Sequence, residues 1–211
     1  MSMMNSKTYW EGYYKNNPNP SVESPFASFT LPFLEKGMSM YELGCGNGRD
    51  SVFFAQKGLN VTAFDQCDSE IEHLKGAFKN VNVSFEAGDF TALGKRKEVD
   101  SIYSRFTLHS VSEKLEKDTL DWAFKTLKPN GVLLIEIRSV LDELYGQGEA
   151  LNTNEFMTSH YRRFVEFEPF VKRIQNAGFS IIYKIQAKGL APYKSEDPVV
   201  IRVIAQKRSF D

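Results

Sequence analysis

Cysteine is scarce: Cys45 and Cys67 are the two in 211 residues. Two thiols cannot build the disulfide framework of a small secreted scaffold. The length makes one unnecessary, because a chain of this size buries roughly 70% of its unfolded surface. Histidine is also sparse, with His73, His109 and His160. No Cys-x-x-Cys or His-x-x-x-His spacing occurs, so no metal site is expected. No stretch of about 18 apolar residues is present, which excludes a membrane-spanning helix and a membrane partner. Met1 to Tyr14 lacks the apolar centre of a signal peptide, so a cytoplasmic location is expected. Charge of one sign is missing too: 26 Lys+Arg face 27 Asp+Glu, a net of −1. That balance argues against a nucleic-acid partner, an acidic tail or a basic arm. Neither an internal repeat nor a low-complexity tract is visible.

Aromatic residues are plentiful, at 13% with 17 Phe. Trp10, Tyr13 and Tyr14 fall at i, i+3 and i+4, one face of a short helix over about Ser6 to Lys15. Asn16 to Pro20 is a loop by composition. Ser21 or Ser24 can cap a helix running to about Leu34. Strands and helices then alternate. Met38–Leu43, Leu59–Phe64, Val81–Phe85, Val99–Arg105 and Val132–Ile137 are expected as strands. Between them, Asp50–Lys57, Ser69–Lys79 and a helix capped by Ser112 are expected. Pro129-Asn130-Gly131 reads as a turn. The apolar run of the fifth strand fits burial on both faces of a parallel sheet. Ser139 to Arg163 is polar and irregular, long for a plain loop. A helix over about Glu166–Ala177 and a hairpin of Ser180–Ala187 with Val199–Gln206 close the pattern.

The strongest chemical signal is Tyr41-Glu42-Leu43-Gly44-Cys45-Gly46-Asn47-Gly48-Arg49-Asp50, where a strand turns into a helix. Glycines at alternate positions let backbone bend tightly and approach a ligand. In doubly wound folds such a turn is where nucleotides bind. Asp65 ends the next strand, where an acid suits the hydroxyls of a ribose. The spacing selects among cofactors. A dinucleotide fingerprint needs Gly where Arg49 stands, and no Lys-Ser/Thr follows to make a phosphate cradle. A nicotinamide-dependent oxidoreductase is therefore disfavoured. Glu42 is unwelcome beside a pyrophosphate but suits an ammonium group.

Together these residues resemble motif I of the class I S-adenosylmethionine-dependent methyltransferases. Val61 to Asp65 matches that family's ribose-binding strand end. Ala87-Gly88-Asp89-Phe90 resembles its adenine motif, Asp100 to His109 its fourth-strand motif, and Leu127 to Gly131 its usual lead into strand five. The similarity runs from about Met38 to Gln206. Gly48 to Ser51, the aromatic first helix and Ala191 to Val200 resemble bacterial tellurite-resistance-type and cell-surface-polysaccharide-cluster methyltransferases. The resemblance implies an α/β Rossmann-like fold. Its sheet has seven mostly parallel strands, an antiparallel last strand and helices on both faces. Residues 1–36 would form a helical lid segment. Residues 37–211 would form the S-adenosylmethionine-binding domain, with an insertion at about 139–165. The implied cofactor is S-adenosylmethionine, leaving S-adenosylhomocysteine. The implied cofactor residues are Tyr13, Glu42, Gly44, Cys45, Gly46, Gly48, Arg49, Asp65, Gln66, Gly88, Asp89, Phe90 and Ser104.

Methyl transfer from a sulfonium is an in-line displacement, and positioning alone can supply about 7–11 kcal/mol. His109, after strand four, is the leading base candidate, with Arg105 and Tyr14 as further catalytic candidates. Aromatic faces of Trp10, Tyr13 and Tyr14 suit a sulfonium cation, worth about 0.5–2 kcal/mol. Arg105, Arg138, Arg162 and Arg163 form a candidate anion site, since guanidinium forks match carboxylate and phosphate. His160, Tyr161 and Tyr193 join Trp10 and these arginines as substrate-binding candidates. No Asn/Asp-Pro-Pro-Tyr/Phe run follows strand four, which disfavours methylation of a planar amine. No acid lies between Asp100 and Glu113, which disfavours a magnesium catechol-type site. The expected acceptor is a small polar, anionic metabolite such as a phosphorylated or nucleotide-linked sugar, methylated on oxygen. N- or S-methylation of a small molecule, or a non-catalytic S-adenosylmethionine-binding regulator, are the alternatives. A monomer or homodimer is expected.

Overall fold

Alternating apolar residues along the strands put one set of side chains on each face of a seven-stranded sheet. The computed structural model describes residues 4–17 and 22–208. The expectations for Ser21 and for Pro18 to Pro20 lie outside the described residues. The chain runs through α1 (Met4–Asn16), α2 (Pro25–Thr30), β1 (Ser39–Leu43), α3 (Arg49–Gln56), β2 (Asn60–Asp65), α4 (Asp68–Ala77), β3 (Val83–Ala87), β4 (Val99–Arg105), α5 (Glu113–Thr126) and β5 (Leu127–Arg138). It then passes β6 (Glu149–Asn152), β7 (Glu155–Met157), β8 (Tyr161–Arg163), α6 (Phe167–Asn176), β9 (Ser180–Ala187) and β10 (Val200–Gln206).

The main sheet has the order β3-β2-β1-β4-β5-β10-β9. Strands β1 to β5 pair in parallel, and β10 runs antiparallel to both β5 and β9. The order reverses between β1 and β4, so the crevice where doubly wound sheets bind ligands opens at their carboxyl ends. Leu43, Ile102, Ile135 and Ile201 face α5 and α6 through Leu120, Phe170 and Ile174. On the other face, Met40, Tyr103, Leu134 and Ile204 pack with Phe26, Phe54, Ile71 and Leu74. This double burial is why β5 is apolar from Val132 to Ile137 except at Glu136, which pairs with Arg105 and Arg202. Ser24 caps α2 as expected, its Oγ accepting from Ala27 N at 3.1 Å. Ser112 likewise caps α5.

Two expectations need correction. Pro129 to Gly131 is part of the β5 ladder rather than a turn ahead of it. The pairing with β4 slips between Val99 and Ser101, and Asn130 takes a φ of +64° at this bulge. The slip holds because Asn130 N donates to Lys207 O at 2.7 Å, beyond the end of β10. The stretch after β5 is also not irregular throughout. It holds a small antiparallel sheet, β6-β7-β8. Phe156 on β7 supplies its core, packing against Tyr145 and Phe164 with ring centroids 5.2 and 5.9 Å away. Among the described residues, no helix is long and apolar enough to cross a membrane.

Candidate functional site

A cleft of about 1120 Å³ opens at the carboxyl ends of the parallel strands. A pocket for one small ligand typically spans about 300–1,000 Å³, so this one has room for two molecules side by side. Its walls come from α1, the glycine loop, the ends of β2, β3 and β4, the small sheet and the loop between β9 and β10.

The glycine loop is built from β1 outward. Gly44 N and Cys45 N both donate to Phe64 O, at 2.8 and 2.9 Å, which folds the loop against the end of β2. Gly46 N donates to Asp65 Oδ2 at 2.9 Å and Cys67 N to Oδ1 at 3.0 Å. Asp65 is thereby fixed at the cleft wall. Burial pushes its carboxyl up, against the pull of the Cys67, Gly46 and Gln66 amides. Gly44 and Gly46 take φ values of +71° and +53°. A Cβ on Gly46 would lie 2.8 Å from the Tyr14 hydroxyl, so α1 sits directly on the loop. Beside it, Glu42 accepts from Ser51 Oγ at 2.5 Å. Burial, and then the charge of Asp50, raise its carboxyl well above the usual range. Asp50 accepts from Ser24 N, Ser24 Oγ and Tyr103 OH at 2.7, 2.7 and 2.8 Å, tying α2 to α3. Asp89, past β3, accepts from Thr91 N and Oγ1 at 2.8 and 2.7 Å.

Glu42, Asp50 and Asp65 are three buried carboxylates lining one end of the cleft. Arg49, 3.6 Å from Asp50, is the one cation in ion-pair range of them among the described residues. Such an end is electrostatically suited to a positively charged ligand.

The opposite end is basic. Arg105 donates from Nε to Glu136 Oε1 at 2.9 Å and stacks over Phe106 at 4.3 Å. Arg138 stacks over the same ring at 5.3 Å. Phe106 adopts a φ of +53°, a strained value for a residue with a Cβ. Its ring lies against both guanidiniums. Arg138 bonds Asp142 at 2.9 Å and Glu196 at 2.8 Å. Arg162 has no carboxylate in ion-pair range among the described residues; Thr158 Oγ1 accepts from it at 3.4 Å. His109 is buried on a short turn, Leu108–Ser110, and its Nδ1 has no hydrogen-bond partner among the described residues. Burial, then Arg138 and Arg162, hold it well below the usual imidazole range. His160 stacks on Tyr9 at 4.3 Å and lies 5.0 Å from the Trp10 ring. Burial, Arg162 and Arg138 hold its value at about 4. Burial also keeps the Tyr14 hydroxyl protonated.

The cleft brings together most of the residues singled out from sequence. Trp10, Tyr13, Tyr14, Glu42, Gly44, Cys45, Gly46, Arg49, Asp65, Gln66, Asp89 and Phe90 line it, as do Arg105, His109, Arg138, His160, Tyr161, Arg162 and Tyr193. Four fall outside its lining. Gly48 faces the core, where a Cβ would meet Leu74 and Phe85 at 3.1 Å. Gly88 takes its place through the backbone, donating to Asp65 O at 2.9 Å. Ser104 is buried on β4 with no partner for its Oγ among the described residues. Arg163 lies beneath the cleft rather than in it. It donates to Val111 O and Leu108 O at 3.0 and 3.2 Å and pairs with buried Glu116, so it supports the turn that carries His109. Sequence reasoning missed Thr107, whose Oγ1 donates to Leu43 O at 2.8 Å and fills the space beside Gly44. Phe106 and Glu196 were missed as well. Nothing local marks them, since their roles rest on a backbone φ and a contact 58 residues away.

Among the described residues, no group of three or more His, Cys, Asp or Glu is placed to hold a metal ion. Residues 40–131 match the family described as "Methyltransferase domain". An uncharacterized methyltransferase of Staphylococcus carnosus is 25% identical over 133 residues, covering 59% of this chain and 63% of that protein. A thiopurine S-methyltransferase of Legionella pneumophila is 24% identical over 182 residues, covering 77% of this chain and 81% of its own length. An S-adenosylmethionine-dependent methyltransferase from Methanosarcina mazei superposes with a TM-score of 0.76 at 18% identity, over 85% of this chain and 97% of its own. A 1,6-didemethyltoxoflavin-N1-methyltransferase of Burkholderia thailandensis, solved with its substrate and S-adenosylhomocysteine, superposes at 0.72 with 17% identity. That match covers 96% of this chain and 84% of the other. These structures share the Rossmann-like methyltransferase fold. The sheet order is that of these structures, and the family match falls on the segment that carries the glycine loop, Asp65 and Asp89, residues 40–131.

Proposed function

We propose that this chain transfers a methyl group from S-adenosylmethionine to a small acceptor carrying a carboxylate or phosphate, most simply on oxygen. The observation that carries the reading is the polarity of the cleft. Buried Glu42, Asp50 and Asp65 make one end acidic, and the other end gathers Arg105, Arg138 and Arg162, of which Arg162 has no carboxylate in ion-pair range among the described residues. A cationic cofactor and an anionic acceptor are thereby drawn to opposite ends of one space.

Bound S-adenosylmethionine supplies an electrophilic methyl on a sulfonium centre. Asp65 is positioned for a ribose diol, because two backbone amides fix its carboxylate. Asp89 suits an exocyclic amine. Glu42, pushed up by burial, gains most from an ammonium group nearby. Trp10, Tyr13 and Tyr14 form an aromatic wall that suits positive charge and excludes water. His109 stays neutral and can accept a proton, but its neighbouring arginines make it a weak base. The same field lowers the pKa of an acceptor's own proton, so the site favours acceptors that ionise readily.

A second reading follows from the ring-rich wall of Tyr9, Trp10, Phe106, His160 and Tyr193. It suits a flat heteroaromatic acceptor, methylated on sulfur or nitrogen, and the thiopurine and toxoflavin enzymes make this the leading rival. Neither reading rests on the resemblance to polysaccharide-cluster enzymes.

The test is an acceptor screen followed by mass. Sugar phosphates, small carboxylates and heteroaromatic thiols are offered with S-adenosylmethionine, and products are sought at +14 Da, the mass of one CH₂ on the order of a single methylation. Methylation confined to anionic acceptors supports the reading. Turnover of neutral heteroaromatics alone overturns it.

A further inference from the structure

Arg138, at the end of β5, has two carboxylate partners of different character. Asp142 bonds one terminal nitrogen at 2.9 Å and its side chain is 1% exposed. Glu196 bonds the other at 2.8 Å and its side chain is 60% exposed. It comes from the loop between β9 and β10. The loop's base is anchored, with Arg202 donating to Leu190 O at 2.6 Å and Ala191 buried, whereas its tip, 192–196, is exposed. Tyr193 and Glu196 exchange backbone hydrogen bonds of 2.8 and 3.0 Å, Gly189 N donates to Asp197 Oδ1 at 2.9 Å, and Arg49 lies 5.9 Å from the Tyr193 ring. Lys194, at its tip, takes a φ of +54°.

Arg162 borders the same space. It has no carboxylate of its own in ion-pair range among the described residues. Burial and Arg138 make its charge less favourable, while Glu196 and Asp142 act in the opposite direction. The Glu196 carboxylate therefore bonds Arg138 in a cleft that Arg162 also lines. A permanent counter-ion would be buried, as Asp142 is. A carboxylate that is 60% exposed, on an exposed loop tip, exchanges more readily than a buried one.

We propose that the Arg138–Arg162 pair is an oxyanion site for the acceptor, and that Glu196 is an intramolecular stand-in which the acceptor displaces. This deepens the anionic-acceptor reading and rests on it. The exchange replaces one carboxylate by another carboxylate or a phosphate on the same guanidinium edge. The 192–196 tip is released as the acceptor seats, so its closed form filters out acceptors that lack a negative group. A tethered carboxylate competes at an effective concentration on the order of millimolar.

The test titrates malonate and, separately, inorganic phosphate into protein saturated with S-adenosylhomocysteine, following the Arg138 and Arg162 Nε–H signals by NMR. E196Q keeps the side-chain shape and removes the charge. It should bind one or both probes about 3- to 10-fold more tightly than the parent protein, as expected from removing a millimolar competitor. R162M in the E196Q background should abolish the gain. S-Adenosylhomocysteine affinity, measured on each variant, reports whether the cofactor end is intact. Unchanged anion affinity in E196Q overturns the proposal, as does a gain that survives R162M. Two outcomes separate this proposal from the acceptor reading. A tighter E196Q site with no anionic acceptor methylated leaves the oxyanion site standing and removes that reading. Methylated anionic acceptors whose KM is indifferent to E196Q do the reverse.

Discussion

Replacing Gly46 or Gly48 by alanine separates the two jobs of the glycine loop. Both residues have positive φ, +53° and +71°. An L-residue in that region costs roughly 1–2 kcal/mol at either place. Their surroundings differ. At Gly48 the new methyl stands 3.1 Å from Leu74 Cδ2 and Phe85 Cε1, both on buried side chains. Overpacking a filled core adds about 1–3 kcal/mol, so G48A should lose about 2–5 kcal/mol. At Gly46 the methyl stands 2.8 Å from the Tyr14 hydroxyl and 2.9 Å from its ring. Tyr14 belongs to α1, which is attached through the Lys7–Asp68 pair, the Asn47-to-Asn17 bond of 3.2 Å and the ring contacts to His160. The Lys7–Asp68 pair is exposed, and neither side of the sheet's core includes an α1 residue, so α1 can tilt as a body. G46A should therefore lose only the backbone cost of about 1–2 kcal/mol, while its S-adenosylhomocysteine affinity falls at least about tenfold. Urea unfolding gives the first quantity and calorimetric titration the second. A Y14A/G46A cycle on S-adenosylhomocysteine affinity should show coupling above about 1 kcal/mol, because without the ring the new methyl no longer tilts α1. Equal stability losses for G46A and G48A, or additive effects of Y14A and G46A, would refute the argument that α1 rides on the glycine loop.

Further predictions follow from buried charge. D65N turns one acceptor oxygen into a donor facing the Gly46 or Cys67 amide; it should cost about 1–3 kcal/mol and weaken S-adenosylhomocysteine binding at least about tenfold, by urea unfolding and calorimetry. Glu116 is buried between Arg163 and Arg173. E116Q should lose about 3–5 kcal/mol in urea unfolding; a loss under about 1 kcal/mol would mean the arginines find other partners. His160 is held at about 4 in the folded chain by burial, Arg162 and Arg138. Its ordinary value is about 6.5, so between these the unfolded chain binds a proton that the folded chain does not. Stability from this group is therefore full above about pH 6.5 and falls toward pH 4, with an upper bound near 3 kcal/mol. H160Q should flatten that slope; identical pH profiles for parent and variant would remove His160 from the account.

The main sheet was legible because burial on two faces imposes its own pattern. Val99–Arg105 and Ser180–Ala187 form as read, and the other strand limits move by a few residues. The cofactor end was legible for a different reason. Gly44, Gly46 and Asp65 do their work through backbone turns and strand ends, which are local. The small sheet left little trace: β6 is exposed along its whole length, so no apolar alternation marks it. The acceptor end was half legible. Arginines were visible, but not which of them are already neutralised. Arg105 meets Glu136, Arg163 meets Glu116 and Arg138 meets Glu196, at separations of 31, 47 and 58 residues. Those pairings arise only once the sheet is assembled, and they reduce four candidate anion-binding arginines to one without a counter-ion.

The position of β10 sets an order on synthesis. It lies between β5 and β9, antiparallel to both. While a ribosome is still making the insertion, α6 and β9, the outer edge of β5 has no partner. That edge belongs to a strand whose Val132–Ile137 core is apolar on both faces. A nascent chain therefore exposes a sticky edge until its last strand emerges, and β9 cannot dock before then. Completion of the sheet therefore waits on β10. Truncations that remove β10 should aggregate rather than yield a smaller folded domain.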